Sequence, residues 1–386
     1  MNYWENPYTT ILHKHPHRVC VRCVMDTSDP LIEFDDNGIC NHCRKYDEYV
    51  SRMPSPHQKK HILETLVTNI KASGTGKDYD CIIGLSGGVD SSYMVWYAVK
   101  KFGLRPLVVH IDTGWNSELA VNNIQNIVQK LKLDMHTLVI DWEEIRDLQR
   151  SYFFSGIANL DVPQDHAFIA SLNTEAKRFG IKNILNGSNM QTESFLPSAW
   201  EYDASDSRNL LAIHQKFGRM KLTKYPIYSL VSKIVYYPLI NRIRIHRPLN
   251  LLNYNKSEAK NILASELGWR DYGGKHYESM FTRFHQAHYL PVKFGYDKRK
   301  AHLSSLIASG QISRNQAESE LDKPLYDLHQ LEQDRKFFIK KLGLSLSEYE
   351  DVMAAPPAFY SDFKNNKGLY DLVSRNKKYF TYMYGQ

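Results

Sequence analysis

The sequence predicts an α/β protein. A parallel sheet covered by helices is expected, with a small metal-binding module before it and a mostly helical region after it. Three observations lead there. From Tyr79 to Leu185 short apolar runs alternate with helical stretches, the pattern of strands buried on both faces. A Gly-Gly turn joins the first of those strands to its helix. Two Cys-x2-Cys pairs lie within the first 45 residues. The 386 residues suggest two or three domains at roughly 100–200 residues each. Apolar residues at 42% and charged residues at 24% are ordinary for a globular chain. A chain this long buries enough core to hold without disulfides. The net charge of +7 suits an anionic ligand better than wholesale coating of nucleic acid. Residues 1–10 lack the charged-then-apolar pattern of a leader, and no run of about 18 apolar residues exists. The nearest, Ile227 to Ile245, contains Lys233, Pro238, Arg242 and Arg244. Secreted, collagenous and integral-membrane classes are not expected, and a cytoplasmic enzyme is.

Residues 1–18 read as a weakly structured arm and residues 19–50 as the metal module. Cys20 and Cys23 are followed, after sixteen intervening residues, by Cys40 and Cys43. Each pair aims two thiolates at one point, and two pairs complete a tetrahedral four-sulfur shell. Asp35-Asp36-Asn37-Gly38 is the turn that brings the second pair back to the first. Such a closed shell leaves no open position for substrate, so a structural Zn2+ is the first expectation. An iron–sulfur cluster and a pair of disulfides are the alternatives, the latter disfavoured in a reducing compartment. Cys81, inside an apolar run, reads as a buried strand thiol.

The spacing of Ile62, Leu63, Leu66 and Ile70 predicts a helix over 56–71. The turn at 74–78 contains Gly74-Thr75-Gly76-Lys77 but is no Walker loop. Lys71 stands where the first glycine belongs, Asp78 where Ser or Thr belongs, and no strand precedes it. Strands are expected at 80–85, 106–112, 135–140 and 181–185. Helices are expected at 91–102, 117–131 and 165–179, with Gly103 and Gly180 as stops and Ser117 with Glu118 as a start. These fall in a domain over 51–215. After Asn186 the alternation stops. Residues 216–330 are expected to be a basic, mostly helical acceptor-binding region, and 331–386 a charged, tyrosine-rich tail. Within it, residues 216–248 carry eight Lys or Arg and no Asp or Glu, interleaved with tyrosines. This stretch suits an acceptor's diphosphate, an anionic membrane surface or a solvated basic face.

The sharpest chemical signal is Leu85-Ser86-Gly87-Gly88-Val89-Asp90-Ser91-Ser92, between a strand and a helix. Two glycines let backbone N–H groups approach an anion, and the helix start adds free donors and a positive dipole end. Ser86, Ser91 and Ser92 can donate to phosphate oxygens. Asp90 would repel phosphate directly, so it makes sense as a ligand of Mg2+ held against it. His110 and Asp112 end the second strand, and Asn186, Gly187 and Ser188 follow the fourth. Ligands of such sheets bind at these carboxyl ends. A packed strand histidine and a turn aspartate are the plainer readings of His110 and Asp112.

The loop resembles the PP-loop, Ser-Gly-Gly-x-Asp-Ser, of the N-type ATP pyrophosphatases, whose fold is that of the adenine nucleotide alpha hydrolases. Members include GMP synthetase, asparagine synthetase, argininosuccinate synthetase and tRNA thiolases. The resemblance implies ATP as cosubstrate, cleaved between its α and β phosphates to adenylylate a substrate oxygen, with the strand ends at 110–115 and 186–189 framing the adenosine. Two further segments narrow it. One runs from Gly268-Trp269-Arg270-Asp271-Tyr272-Gly273-Gly274 through Phe284. The other covers Leu290-Pro291-Val292-Lys293-Phe294-Gly295 and Asp297 to Ser304. Together with the cysteine pairs and the loop they resemble the N-acetyl sugar amidotransferase family, the WbpG-like proteins of O-antigen biosynthesis, over roughly residues 19–326.

That resemblance implies conversion of an acetamido group on a nucleotide-activated sugar, such as a UDP-linked 2,3-diacetamido uronic acid, into an acetamidino group. Lys275, Arg283, Lys293, Lys298 and Arg299 are candidates for acceptor diphosphate, carboxylate or ATP phosphates. His276, Glu278 and Ser279 are candidates for sugar hydroxyls, His276 and Glu278 also for the proton lost by ammonia. Asp90, Lys298, Arg299 and His276 are the expected catalytic set. The implied partners are a separate glutaminase and its cyclase-like barrel. No nucleic acid is expected, and peripheral membrane contact is left open. A tRNA-modifying thiolase is the main rival, but sulfur transfer needs a spare reactive cysteine or an open cluster. A nucleotide-binding scaffold without activity is the second, which the intact loop argues against.

Overall fold

The computed structural model describes residues 16–273 and 277–370. Most of the expected arm and the end of the expected tail lie outside the described residues. The labelled elements are α1 (Asn41–Ser51), α2 (Pro56–Ser73), β1 (Cys81–Gly84), α3 (Val89–Lys100), β2 (Pro106–Asp112), α4 (Glu118–Leu131), β3 (Met135–Val139), α5 (Trp142–Ser155), α6 (Val162–Arg178), β4 (Asn183–Leu185), α7 (Ser207–Phe217), β5 (Arg244–His246), α8 (Lys256–Leu267), α9 (Lys298–Ala308), α10 (Arg314–Leu321), α11 (Leu328–Leu342) and α12 (Leu346–Ala354).

The five strands form one parallel sheet in the order β3-β2-β1-β4-β5. Register runs from Cys81 opposite Pro106 to Gly84 opposite Val109, and Ile82 sits opposite Ile184. Alternate residues of β1 serve opposite faces, as a two-residue period demands. Ile82 joins Ile145, Leu148, Ala167 and Leu172 of α5 and α6. Cys81 and Ile83 join Met94, Val95, Ile124 and Leu263 of α3, α4 and α8. Strand order reverses between β1 and β4, and the crevice over that point is where such sheets take ligands.

The four expected strands and three expected helices of the sheet domain are present within a few residues of their expected ends, Ser117 capping α4 through Ala120 N at 3.2 Å. Two features differ from expectation. The alternation does not stop at Asn186, because β5 extends the sheet from the basic stretch. And α5 fills the gap after β3 with a helix that buries Glu144, Asp147, Gln149 and Arg150. The Glu144 carboxylate accepts the backbone N–H groups of Thr223, Lys224 and Tyr225 at 2.7–2.9 Å, and Asp147 accepts that of Arg219 at 2.9 Å. The start of the basic stretch is thus pinned by its backbone to α5.

The C-terminal helices close over the carboxyl ends of the strands. Phe338 of α11 packs on Phe284 (ring centroids 4.6 Å apart) and Phe281 (5.6 Å). Lys341 of α11 lies 4.5 Å from the Trp115 ring and 4.9 Å from Trp142. No helix among the described residues is long and apolar enough to cross a membrane.

Candidate active site and metal centre

The Gly-Gly loop leaves β1 and turns into α3. Gly87 has φ +85°, and a Cβ there would meet Ala120 O at 2.9 Å, so only glycine fits. A Cβ on Gly88 would meet Glu278 Oε1 at 3.0 Å, Ser86 Oγ at 3.1 Å and Tyr272 Oη at 3.3 Å. Ser86 Oγ accepts Gly88 N–H at 3.2 Å and lies 3.1 Å from Ser91 Oγ. Tyr272 Oη accepts Val89 N–H at 3.1 Å. From the far side of the switch point Gly187 packs on the loop. A Cβ there would sit 2.7 Å from Asp90 O.

Asp90 opens α3 with its carboxylate held from one side. Its Oδ1 accepts from the Tyr254 phenol and, at 3.5 Å, from Asn189. Burial raises the Tyr254 and Tyr272 phenols well above their ordinary range, so both stay protonated. Among the described residues Asp90 Oδ2 makes no hydrogen bond.

A cavity of about 1210 Å³ spreads from this loop, walled by the strand ends, α8, α9 and the segment 277–286. That exceeds the usual space for one small ligand and suits two. The far wall gains its position through a short antiparallel pairing. Asn116 bridges Ser279, Ser117 N donates to Glu278 O at 2.8 Å, and Met280 N donates to Trp115 O at 3.0 Å. The turn after β2 therefore delivers Glu278 to the Gly-Gly loop.

Deeper in the cavity Asp161 accepts from Thr282 at 2.9 Å and from His285 Nδ1 at 3.0 Å. Burial works against its charge, but His285 and Lys298 outweigh that and hold it below the usual carboxylate range. Lys298 contacts Glu201. Burial likewise opposes its charge, and the Glu201, Asp161 and Asp165 carboxylates more than offset it.

Of the sequence-predicted residues, Leu85, Ser86, Gly88, Asp90, Ser91, His110, Asn186, Gly187, Ser188, Glu278, Ser279, Lys298 and Arg299 line this one cavity. Gly87, within the loop, and the buried Ser92 do not line it. His110 Nδ1 contacts Leu85 O at 2.9 Å, bracing loop against strand. Asp112 does not line the cavity. It ties the turn, accepting from Gly114 N at 2.8 Å and Asn116 Nδ2 at 3.0 Å. Lys275 and His276 lie outside the described residues.

Two expected anion binders are placed elsewhere. Arg283 pairs with Asp334 at 2.7 Å. Lys293 is fully buried, donating to the carbonyls of Val352 and Ala355 at 2.6 Å at the end of α12, with its pKa pushed down to about 8 by burial. Arg299 reaches the rim, but its guanidinium is taken by Asp297 and by the carbonyls of Glu320, Leu321 and Lys323 at the end of α10. None of residues 216–248 lines the cavity, although Arg247 donates to Ser188 Oγ at 3.0 Å on its wall. Tyr254, Asp161 and Glu201 carry no local sequence signal and emerge only from the fold, while Tyr272 and Asn189 lie in segments that the sequence singled out without giving them a role.

The four N-terminal cysteines converge and are fully buried. Their sulfurs lie within 4.8 Å of one another, with Cys23–Cys40 at 3.7 Å and Cys20–Cys43 at 4.0 Å. A tetrahedral zinc–thiolate shell has S–S edges of about 3.8 Å, whereas a disulfide needs about 2.05 Å. The cluster fits one tetrahedral ion. Backbone N–H groups of Arg22 and Cys40 point at Cys20 Sγ at 3.4 and 3.3 Å, which favours the thiolate. The module sits on α9 and α10. Ser304 Oγ accepts Val24 N–H at 3.2 Å, Lys300 pairs with Asp26, and Arg314 donates to the carbonyls of Cys20 and Cys23.

The parallel sheet, the Gly-Gly loop at the end of β1 and the cavity over the switch point form a PP-loop-like α/β domain. Residues 278–377 match the family described as LPS biosynthesis protein WbpG-like, C-terminal domain. Curated relatives match in part. An uncharacterised protein of Methanocaldococcus jannaschii is 29% identical over 33% of this chain and 44% of its own length. A glutamine-hydrolysing GMP synthase of Sulfurimonas denitrificans is 27% identical over 41% of this chain and 30% of its own. The chain thus spans under half the length of these relatives. Among solved structures, NMN synthetase from Francisella tularensis aligns with 76% of this chain and 98% of its own at 14% identity and a TM-score of 0.34.

Proposed function

We propose that the chain is an ATP-dependent, AMP-forming amidotransferase that converts an acetamido group of a nucleotide-activated sugar to an acetamidino group. A UDP-linked 2,3-diacetamido uronic acid is the proposed acceptor. The observation that carries this reading is the shared cavity. The Gly-Gly loop and the first residues of the WbpG-like domain face each other, Glu278 reaching 3.0 Å from a Cβ on Gly88. A nucleotide and a sugar seated there meet at one point. The amide oxygen attacks the α-phosphorus of ATP and pyrophosphate leaves. Ammonia then adds to the imidate carbon, loses a proton, and AMP departs with the former amide oxygen. Glu278 is the proposed acceptor of that proton. The relative named as a glutamine-hydrolysing GMP synthase supports an amido-transfer chemistry.

Charge supports Mg2+ as the companion of ATP. Nine carboxylates and five Lys or Arg side chains line the cavity among the described residues, so a polyphosphate needs a cation with it. Asp90 Oδ2 is the proposed ligand, and Tyr254 fixes its orientation. Tyr254→Phe should weaken Mn2+ binding in the presence of ATP about tenfold, the loss of roughly one hydrogen bond to a charged group, with little change in melting temperature. Mn2+ titration followed by electron paramagnetic resonance checks it, and an unchanged affinity would reject this role for the phenol.

Mass spectrometry of the nucleotide sugar after incubation with ATP and ammonium tests the reaction. Exchange of one oxygen for NH, with equal AMP, is expected, and ADP formation would reject it. The ammonia source is proposed to be a separate glutaminase with its barrel partner. A glutaminase needs an activated cysteine, whereas Cys81 is fully buried and burial pushes its thiol up. The other four cysteines converge on one site. The same shortage weighs against the sulfur-transfer rival. The purified chain should therefore turn over with ammonium but not glutamine, until the partners are added. Glutamine-dependent AMP formation by the chain alone would overturn this.

A further inference from the structure

We propose that the helical segment Ser232–Ile240 and the edge strand β5 beside it form a docking face for an anionic lipid bilayer. This inference stands apart from the reaction, since none of these residues lines the cavity. The segment is closed by wide turns, Asn241 N donating to Tyr236 O at 2.9 Å. In such a helix residues four to five apart fall on one stripe. Val231, Val235, Leu239 and Ile240 occupy it, and Val231 and Ile240 are each 65% exposed. No residue of the segment is buried. Ile227 before it and Ile245 on β5 extend the apolar surface.

Cations dominate the charge around this stripe, although Lys233 of the segment pairs with Asp203 at 2.7 Å. Arg242 and Arg244 are exposed and pair with no carboxylate among the described residues. Lys182 reaches Asn241 O at 2.7 Å and Lys177 contacts the Tyr236 phenol, which brings two more cations alongside. No acid occurs between 216 and 248. The charge selects the occupant. A second copy docked face to face would oppose the same cations. The chain's own residues 371–386 hold Arg375, Lys377 and Lys378 against one acid, Asp371, and so carry charge of the same sign. An anionic headgroup layer attracts these cations, while the apolar stripe enters the acyl boundary and the paired Tyr236 and Tyr237 suit the interface.

Flotation of the full chain with vesicles tests this. Vesicles of equal phosphatidylglycerol and phosphatidylcholine should carry the protein up the gradient, those of phosphatidylcholine alone should not, and added salt should weaken binding. The double variant Leu239→Glu with Ile240→Glu should lower the bound fraction at least about tenfold by removing apolar insertion. Its melting temperature and its AMP formation in solution should stay unchanged. Arg242→Glu with Arg244→Glu should do the same and lose the salt dependence. Absence of flotation, equal flotation on the neutral vesicles, or wild-type binding by both double variants would overturn the proposal. So would a dimer in solution that the Leu239→Glu, Ile240→Glu variant dissociates, which would assign the face to a second copy.

Discussion

Asp90→Ala should cut AMP and pyrophosphate formation by at least about a thousandfold, roughly 4 kcal/mol of transition-state stabilisation. The size follows from position. Asp90 is the loop's acid, anchored on Oδ1 by Tyr254 and Asn189; among the described residues its Oδ2 makes no hydrogen bond, and carboxylates outnumber cations in the cavity. Without a bridging cation the polyphosphate meets uncompensated negative charge. The fold should survive, since the helix and its apolar contacts do not depend on that carboxylate. Quench-flow assay of AMP together with a thermal melt checks the prediction. Near-normal turnover in the variant would show that another group holds the cation.

Cys40→Ser should release the metal, and with it a large part of both stability and activity. A structural zinc site contributes on the order of 10 kcal/mol to the folding of its module. The effect should not stay local. Val24, Asp26 and the carbonyls of Cys20 and Cys23 bind Ser304, Lys300 and Arg314. Ser304 and Lys300 lie on α9, whose first turn carries Lys298 and Arg299 into the cavity. Elemental analysis should give one zinc per wild-type chain and less than about a tenth of that in the variant. Chelation of the wild-type protein should lower its melting temperature and its AMP formation together. Retained activity after complete loss of metal would detach the module from the site.

The sheet was legible because its inner strands are apolar runs with a helix after each. Cys81 to Gly84 and Pro106 to Val109 are buried residue for residue, so composition and location coincide. Arg244-Ile245-His246 is a strand of three residues on the sheet edge, largely exposed, and its one apolar residue, flanked by basic ones, does not make an apolar run. The helix α5 carries Ile145, Leu148 and Tyr152 at helical spacing, but that signal is diluted. It also buries Glu144, Asp147, Gln149 and Arg150, so polar residues interrupt the stripe on the buried face. Its carboxylates are satisfied by backbone N–H groups some eighty residues downstream. The loop and the cysteine pairs were legible since their chemistry needs particular residues close in sequence. The cations of the C-terminal region were legible as residues but not as roles. Arg283, Lys293 and Arg299 read as anion binders, yet Asp334, Asp297 and helix-end carbonyls claim them. Only the fold tells a ligand-facing cation from one that ties helices together.

The seat of the cysteine module has a consequence for how the chain is made. Arg314 bonds to carbonyls 291 and 294 positions earlier, so the two surfaces meet only once most of the chain has been synthesised. Contacts so distant in sequence are costly to close and form late. A nascent chain can complete the Gly-Gly loop and its sheet before α9 exists, but not the cavity, whose far wall is still within the ribosome. Productive nucleotide chemistry is therefore withheld from partial chains. A premature stop before residue 298 should yield a protein with an orphaned metal module and an open loop, suited to clearance by proteases rather than to half an activity.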